Sequence, residues 1–348
     1  MLSSRPFPDL GETLQSYVIR LARFNHYKFD HWSQYLSQES VPYRSRDITD
    51  RKQLREFIFL STGMPSVNQL FDQWQFFDTE KKYFDYKKIK ICPICFGSNK
   101  YKLMTQWSFR YNLVCPEHSC SLVDKCSRCG ESVTERTVHA MKCDKCELPL
   151  HEFEVKETEV DYFSKRIENL IGEGILQNRE ALIGELAWQH THIEALSLLV
   201  YQDSNPLWRR KRSYSIEQKH QHQTFIGQLL NDNSLLQSAL NEYMQSQLKQ
   251  GKTDLGIAFT KLNKYLVNNT CPVLIVAVKK LINNFQFNDT QKVGLTWLEK
   301  LFNLHQKSLT NFVKDKCPCL ILKTQGPASV SLNNVSHILD QYQKTVKL

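Results

Sequence analysis

The sequence predicts a mainly α-helical chain interrupted by one small β-containing module. Three observations carry that reading. Apolar residues recur at helical spacing over most of the chain. Glycine and proline punctuate the periodic segments, at Gly63, Pro65, Gly172, Gly174 and Pro206. Eight of the eleven cysteines crowd between positions 92 and 146, where helical periodicity lapses. The 348 residues suffice for two or three domains. We expect an N-terminal helical domain over 1–85, a cysteine-rich module over 86–155 and a C-terminal helical domain over 156–348.

The first element follows Pro8, where Asp9 and Glu12 fit a capping box. Leu14, Tyr17, Val18, Leu21 and Ala22 then mark one face of an amphipathic helix, read as a core stripe. Arg20 and Arg23 fall among its polar positions, suited to pairing with acids or to touching a partner. A second helix is expected near His31 to Leu36, and a third from Asp50 to Leu60 with Leu54, Phe57 and Ile58 inward. Ser66 suits the cap of a fourth, with Leu70, Phe71 and Trp74 inward. The turn Ser61 to Pro65 lies between the last two. Helix, glycine turn, helix is compatible with a helix-turn-helix unit, as it is with any helical bundle.

Lys81, Lys82, Lys87, Lys88 and Lys90 come next, interleaved with Tyr83, Phe84 and Tyr86. Such a linker tracks a phosphate backbone. It equally reads as a solvated strand edge whose lysines discourage pairing.

The cysteines arrange as pairs: Cys92 with Cys95, Cys115 with His118, Cys126 with Cys129, and Cys143 with Cys146. Each pair has two residues between its donors, the spacing at which one short loop presents both to one ion. In chain order they make two complete shells, Cys92, Cys95, Cys115 and His118, then Cys126, Cys129, Cys143 and Cys146. Four donors of this kind suit tetrahedral zinc, two ions per chain. Iron–sulfur remains a reading of four cysteines, and Cys120 is a spare thiol that could replace His118. Both shells are full, which favours structural metal over a catalytic site with an open position. Between the pairs, Trp107, Phe109 and Tyr111 alternate along Met104 to Leu113, as a hairpin strand would. The fold class is therefore mainly α with small β zinc-ribbon elements: a helix-turn-helix-like N-terminal domain, a tandem zinc module and a C-terminal helical domain.

From Phe163 onward the pattern is helical. Ile167, Leu170 and Ile171 open it, and Leu182, Leu186 and Ala187 resume it after Gly172 and Gly174. Ile193, Leu196 and Leu199 read as a separate segment ending before Pro206. Arg209, Arg210, Lys211 and Arg212 form a basic run, a solvated loop or a phosphate contact. Later segments are Phe225 to Leu230, Leu235 to Tyr243, Trp297 to Leu304 and Ser331 to Tyr342. Pro272 to Val278 reads as buried helix or strand. Cys271, Cys317 and Cys319 read as buried thiols, and His220 with His222 lacks nearby acids for a metal site.

The formal charge of +9 is a weak attraction toward anionic partners such as nucleic acid. No basic-then-apolar leader opens the sequence, and no run of about 18 apolar residues is present. We expect an intracellular chain with no membrane partner. There is no glycine-rich phosphate loop, HExxH or GxSxG motif. Weight shifts toward binding and away from catalysis.

Two stretches together resemble the TniQ/TnsD family of Tn7-like transposition proteins. The first is Arg5-Pro6, Glu12-Thr13-Leu14, Ser16-Tyr17, Arg20-Leu21-Ala22 and Asn25. The second is Cys92-Pro93-Ile94-Cys95, Trp107, Cys115 to His118, Leu122, and Cys126 to Cys129. The resemblance spans about residues 5 to 150. It implies a non-enzymatic target-selection protein of the bacterial cytoplasm. Family members near this length look like adaptors joining a Cascade complex and its guide RNA to an AAA+ transposition ATPase. The resemblance further implies a homodimer docked on the guide-processing subunit and its neighbouring backbone subunit, with target DNA in the assembly. Longer relatives bind an attachment site in DNA directly, which makes a direct DNA binder the first alternative. A zinc-dependent nucleic-acid enzyme is the second, and it would need an open coordination position.

Overall fold

The structure, a computed structural model, describes residues 2, 4–9, 11–32, 56–66, 68, 70, 72, 81–85, 88–98, 101–172, 179–201, 215–250, 252, 254–284, 291–305, 307–322 and 328–346. The chain is largely helical with small β elements. It divides into two compact units, Met1–Gln189 with Tyr214–Gln223, and His190–Ser213 with Thr224–Leu348.

In the first unit, helix α1 (Leu14–Phe24) begins after Thr13, whose hydroxyl accepts the Ser16 N–H at 3.0 Å. Thr13 is thus the cap, not the expected Asp9. Asp9 and Glu12 instead close a turn ahead of the helix, with Glu12 N–H donating to the Asp9 carbonyl at 3.1 Å. The predicted stripe of Leu14, Tyr17, Val18, Leu21 and Ala22 is buried, and so are Ile19 and Arg20. The stripe widens because α1 packs on two sides. Tyr17, Val18 and Leu21 join Trp32, Ile58 and Leu70, while Ile19 joins the cysteine module.

Residues 29–32 are helical; the rest of the expected second helix lies outside the described residues. Residues 56–62 are helical and end at Gly63, whose φ of +67° needs no Cβ clearance. Its N–H caps the Phe59 carbonyl at 2.7 Å. Positions 68, 70 and 72 are helical again, while Leu54, Phe71 and Trp74 lie outside the described residues. These segments flank a glycine turn without establishing a helix-turn-helix.

Residues 104–113 do not form the expected strand. Thr105–Ser108 is a 3-10 turn, and the Thr105 N–H donates to the Gly11 carbonyl at 2.7 Å. The Leu103 carbonyl is taken by the Thr13 N–H at 2.9 Å. Residues 11–13 thus occupy the edge that a hairpin would need. Trp107, Phe109 and Tyr111 are nonetheless all buried. The β content of the module is two-residue strands, β1 (Val114–Cys115) and β2 (Cys120–Ser121), paired antiparallel with Cys115 opposite Cys120. No zinc-ribbon sheet is present among the described residues. Two short helices, α2 (Pro93–Gly97) and α3 (Glu135–Ala140), complete the module.

Helix α4 (Tyr162–Gly172) is capped by buried Asp161, which accepts the Phe163 and Ser164 N–H groups and the Gln223 amide at 2.9, 3.1 and 2.8 Å. Gln223 also donates to the Tyr111 carbonyl at 2.6 Å, tying helix α6 (Ile216–Asn231) to the aromatic loop. Helix α5 (Arg179–Tyr201) runs unbroken where two segments were expected, because residues 188–192 contain neither glycine nor proline. Both α5 and α6 supply residues to each unit.

His222 on α6 is buried, and desolvation pushes its imidazole down from 6.5 to about 4. The folded state therefore binds fewer protons than the unfolded state between those values. Stability is full above about pH 6.5 and is lost as pH falls toward 4, by about 3 kcal/mol at 1.36 kcal/mol per unit. We predict that His222→Leu flattens this part of the acid-unfolding profile, read by urea titration at several pH values. An unchanged slope would count against it.

The second unit holds α7 (Asn233–Lys249), α8 (Leu255–Ala258), α9 (Asn263–Leu266), α10 (Pro272–Asn284), α11 (Leu295–Leu301), α12 (Ser308–Lys316) and α13 (Val335–Val346). Tyr243, Phe259 and Trp297 stack in series, with ring centroids 5.9 and 6.2 Å apart. Buried Glu299 accepts the Thr310 and Lys307 N–H groups at 2.8 and 3.1 Å, capping α12 from another helix. An unanticipated antiparallel sheet, ordered β3 (Lys292–Gly294), β5 (Ser329–Ser331), β4 (Ile321–Leu322), lies beside these helices. Cys271 and Cys317 are buried as expected, but Cys319 is exposed because none of the 3-10 turn Pro318–Leu320 is buried. Among the described residues no helix is long and apolar enough to cross a membrane.

Candidate metal centres

Cys92 precedes α2, and Pro93 at the first helical position directs the turn that brings Cys95 back beside it. Strand β1 ends at Cys115, and the chain reverses through His118 to β2. The donor atoms of Cys92, Cys95, Cys115 and His118 all lie within 4.8 Å of one another. His118 Nδ1 stands 3.5, 3.2 and 3.6 Å from the sulfurs of Cys92, Cys95 and Cys115, and Cys95 Sγ is 3.8 Å from Cys115 Sγ. A tetrahedral ion with bonds of about 2.3 Å to sulfur and 2.0 Å to nitrogen sets S–S edges of ~3.8 Å and S–N edges of ~3.5 Å. The group therefore fits such an ion closely.

Cys126, Cys129, Cys143 and Cys146 form the second group by the same 4.8 Å measure. Cys126 and Cys146 sulfurs are 3.4 Å apart, and those of Cys129 and Cys143 are 3.5 Å apart. Its two loops share one backbone device. Gly130 N–H donates to the Cys126 carbonyl at 2.9 Å, and Glu147 N–H to the Cys143 carbonyl at 3.1 Å, with φ of +73° and +58°. Ser119, after His118, has φ +45°. The left-handed residue after the second donor thus recurs in three of the four pairs. Only Gly130 announces it in the sequence, because Glu and Ser pay a steric cost there.

Hydrogen bonds from Cys115, Cys120 and Cys95 pull the Cys92 thiol far below its ordinary range, while Cys115 and Cys92 push Cys95 far above it. One anionic sulfur is thus favoured and the next opposed, which a dication reverses. In the second group burial opposes ionising Cys143, yet N–H donors of Cys146 and Lys145 and the nearby thiols bring it down to about 7. Two Cys/His clusters able to hold metal ions are therefore present.

The basic residues behave less uniformly. Lys90 is buried and donates to the Phe109 and Asn112 carbonyls at 2.6 and 2.7 Å, so it is no surface cation. Lys88 pairs with Asp124 at 3.3 Å. The Lys82 ammonium stands 4.7 Å from the Tyr83 ring centroid, within the 3-10 turn Lys81–Tyr83 that also holds Lys81. Lys87, Arg209, Arg210, Lys211 and Arg212 lie outside the described residues.

A further cluster gathers residues quoted for the family resemblance, and in it Arg20 pairs with an acid as expected, the partner being Glu12. Glu12, wholly buried, accepts Arg20 Nε at 2.8 Å and Arg20 Nη2 at 2.6 Å, and its first oxygen also accepts the Ser16 hydroxyl at 2.7 Å. Arg20 donates on to the Phe7 carbonyl at 2.8 Å. The Tyr17 hydroxyl reaches the Pro6 carbonyl at 3.1 Å, and the Asn25 side chain brackets the Ser4 N–H and carbonyl at 2.8 Å each. Arg5 donates to the Thr62 carbonyl at 3.3 Å. These side chains clasp residues 4–9 onto α1. Ser16 Oγ also accepts the Leu103 N–H at 2.9 Å, which joins the clasp to the cysteine module.

Residues 3–122 match the model of the TniQ family. A search of curated proteins found no match. The matched stretch contains both the clasp and the whole first cysteine–histidine group. It is consistent with a non-enzymatic adaptor role in transposition.

Proposed function

We propose that the protein is a target-selection adaptor in Tn7-like transposition, carrying two structural zinc ions and linking an RNA-guided Cascade complex to an AAA+ ATPase. One observation carries the reading: the TniQ match coincides with a donor group that is already complete. Four donors per centre leave a tetrahedral ion no position for a reacting water, so the zinc supplies shape. Cys92, Cys95, Cys115 and His118 would hold the first ion, and Cys126, Cys129, Cys143 and Cys146 the second. Recruitment then works by raising effective concentration, with the ATPase presented where Cascade has found its target DNA. A homodimer would dock on the guide-processing and backbone subunits.

Elemental analysis of the purified chain should give about two zinc per protein, and one or none would sink that count. Co-expression with Cascade tests the adaptor role, since the chain should co-purify with it. A chain that ignores Cascade but shifts one duplex sequence at physiological salt, with steep salt dependence, would establish the direct DNA binder instead. The recognition helix of that alternative would come from residues 50–75 or from the final helices, with Arg209 to Arg212 on phosphates.

A further inference from the structure

One thiol outside the first donor group sits against it. Cys120 is fully buried, and its Sγ lies 3.6 Å from Cys92 Sγ. Its backbone is pinned on both edges. Cys120 pairs with Cys115 on one side and bridges to Glu157 on the other. Ser121 N–H donates to the Lys156 carbonyl and Thr158 N–H to the Ser119 carbonyl, both at 2.9 Å. The four donors that lie mutually within 4.8 Å already include His118.

We propose that Cys120 is a positioning residue for the first metal centre: its S–H donates to Cys92 Sγ, and it is not itself a ligand. This rests on the metal reading proposed above. Three thiolates around one dication leave an excess negative charge. A donor to one sulfur disperses that charge and holds the sulfur's direction, as outer hydrogen bonds do at metal sites generally.

The test is cobalt(II) loading of the full chain, followed by absorption spectroscopy and chelator competition. Sulfur-to-cobalt charge-transfer intensity reports the number of bound thiolates, and its position reports hydrogen bonding to them. Cys120→Ala should keep the intensity, shift the band and weaken one of the two centres by ~10–100-fold. Cys120→Ser, whose hydroxyl still donates, should recover part of that loss, and it carries the comparison if the alanine variant fails to fold. A drop by one thiolate's share in Cys120→Ala would make Cys120 a ligand and overturn the proposal. Unchanged band, intensity and affinity would reduce it to packing and overturn it equally. If Cys92→Ser loads as much cobalt as the parent, the metal reading of this centre falls, and the proposal with it.

Discussion

A strong chelator is expected to unfold residues 91–153 of the metal-loaded protein. The reason lies in what else holds this stretch. Its helices α2 and α3 have five and six residues, and its strands have two each. Isolated helices below about 12 residues and lone hairpins are marginal in water. Its core is built partly from the donors themselves, since Cys92, Cys95, Cys115, Cys126 and Cys143 are buried beside Ile91, Phe96, Trp107 and Leu150. A structural zinc contributes roughly 10–16 kcal/mol of apparent binding free energy, as much as an ordinary domain's whole stability. Hydrogen exchange should therefore show protection vanishing across 91–153 on chelation. It should persist in α7 and α10, which carry no Cys/His cluster. Cys143→Ser should mimic the second half of the effect. A module that stays protected under full chelation would falsify the claim that metal supplies its folding energy.

The two Cys/His clusters were legible because groups able to hold a metal are written in short spacings. Two residues between donors constrain one loop, and chain order then pairs the loops. The helix α1 was legible for a related reason, as five apolar residues repeat at helical spacing. What escaped was set by long-range contact. Residues 104–113 alternate like a strand, yet residues 11–13 occupy the backbone groups a strand partner would need, so the segment curls at Thr105–Ser108. The sheet of β3, β4 and β5 has strands of two or three residues, too short for a period of two to declare itself. Glu12 looked like a capping residue because Asp9 stands three positions earlier, and those two do bond each other at 3.3 Å. Its larger role needs Arg20, eight positions away on another turn, and only the fold brings the two together.

Glu12→Ala is expected to cost the first unit about 3–5 kcal/mol, because it leaves the Arg20 guanidinium buried without its counter-charge. Burial raises the Glu12 carboxyl despite the opposing pull of Arg20, so desolvation consumes much of what the pair gains. The net worth of the pair is thus far smaller than the cost of breaking it. That asymmetry gives a sharper expectation than the single variant alone. Glu12→Leu combined with Arg20→Met removes both charges, and should be less damaging than Glu12→Ala by itself. It should still lose something, since the Phe7 carbonyl and the Ser16 hydroxyl each lose a partner. Urea unfolding of the metal-loaded variants measures the cycle. Purely additive losses would mean that Glu12 and Arg20 act separately. Strong coupling would instead show that the clasp is one unit, closing residues 4–9 over α1 and joining them to the cysteine module through Ser16 and the Leu103 N–H.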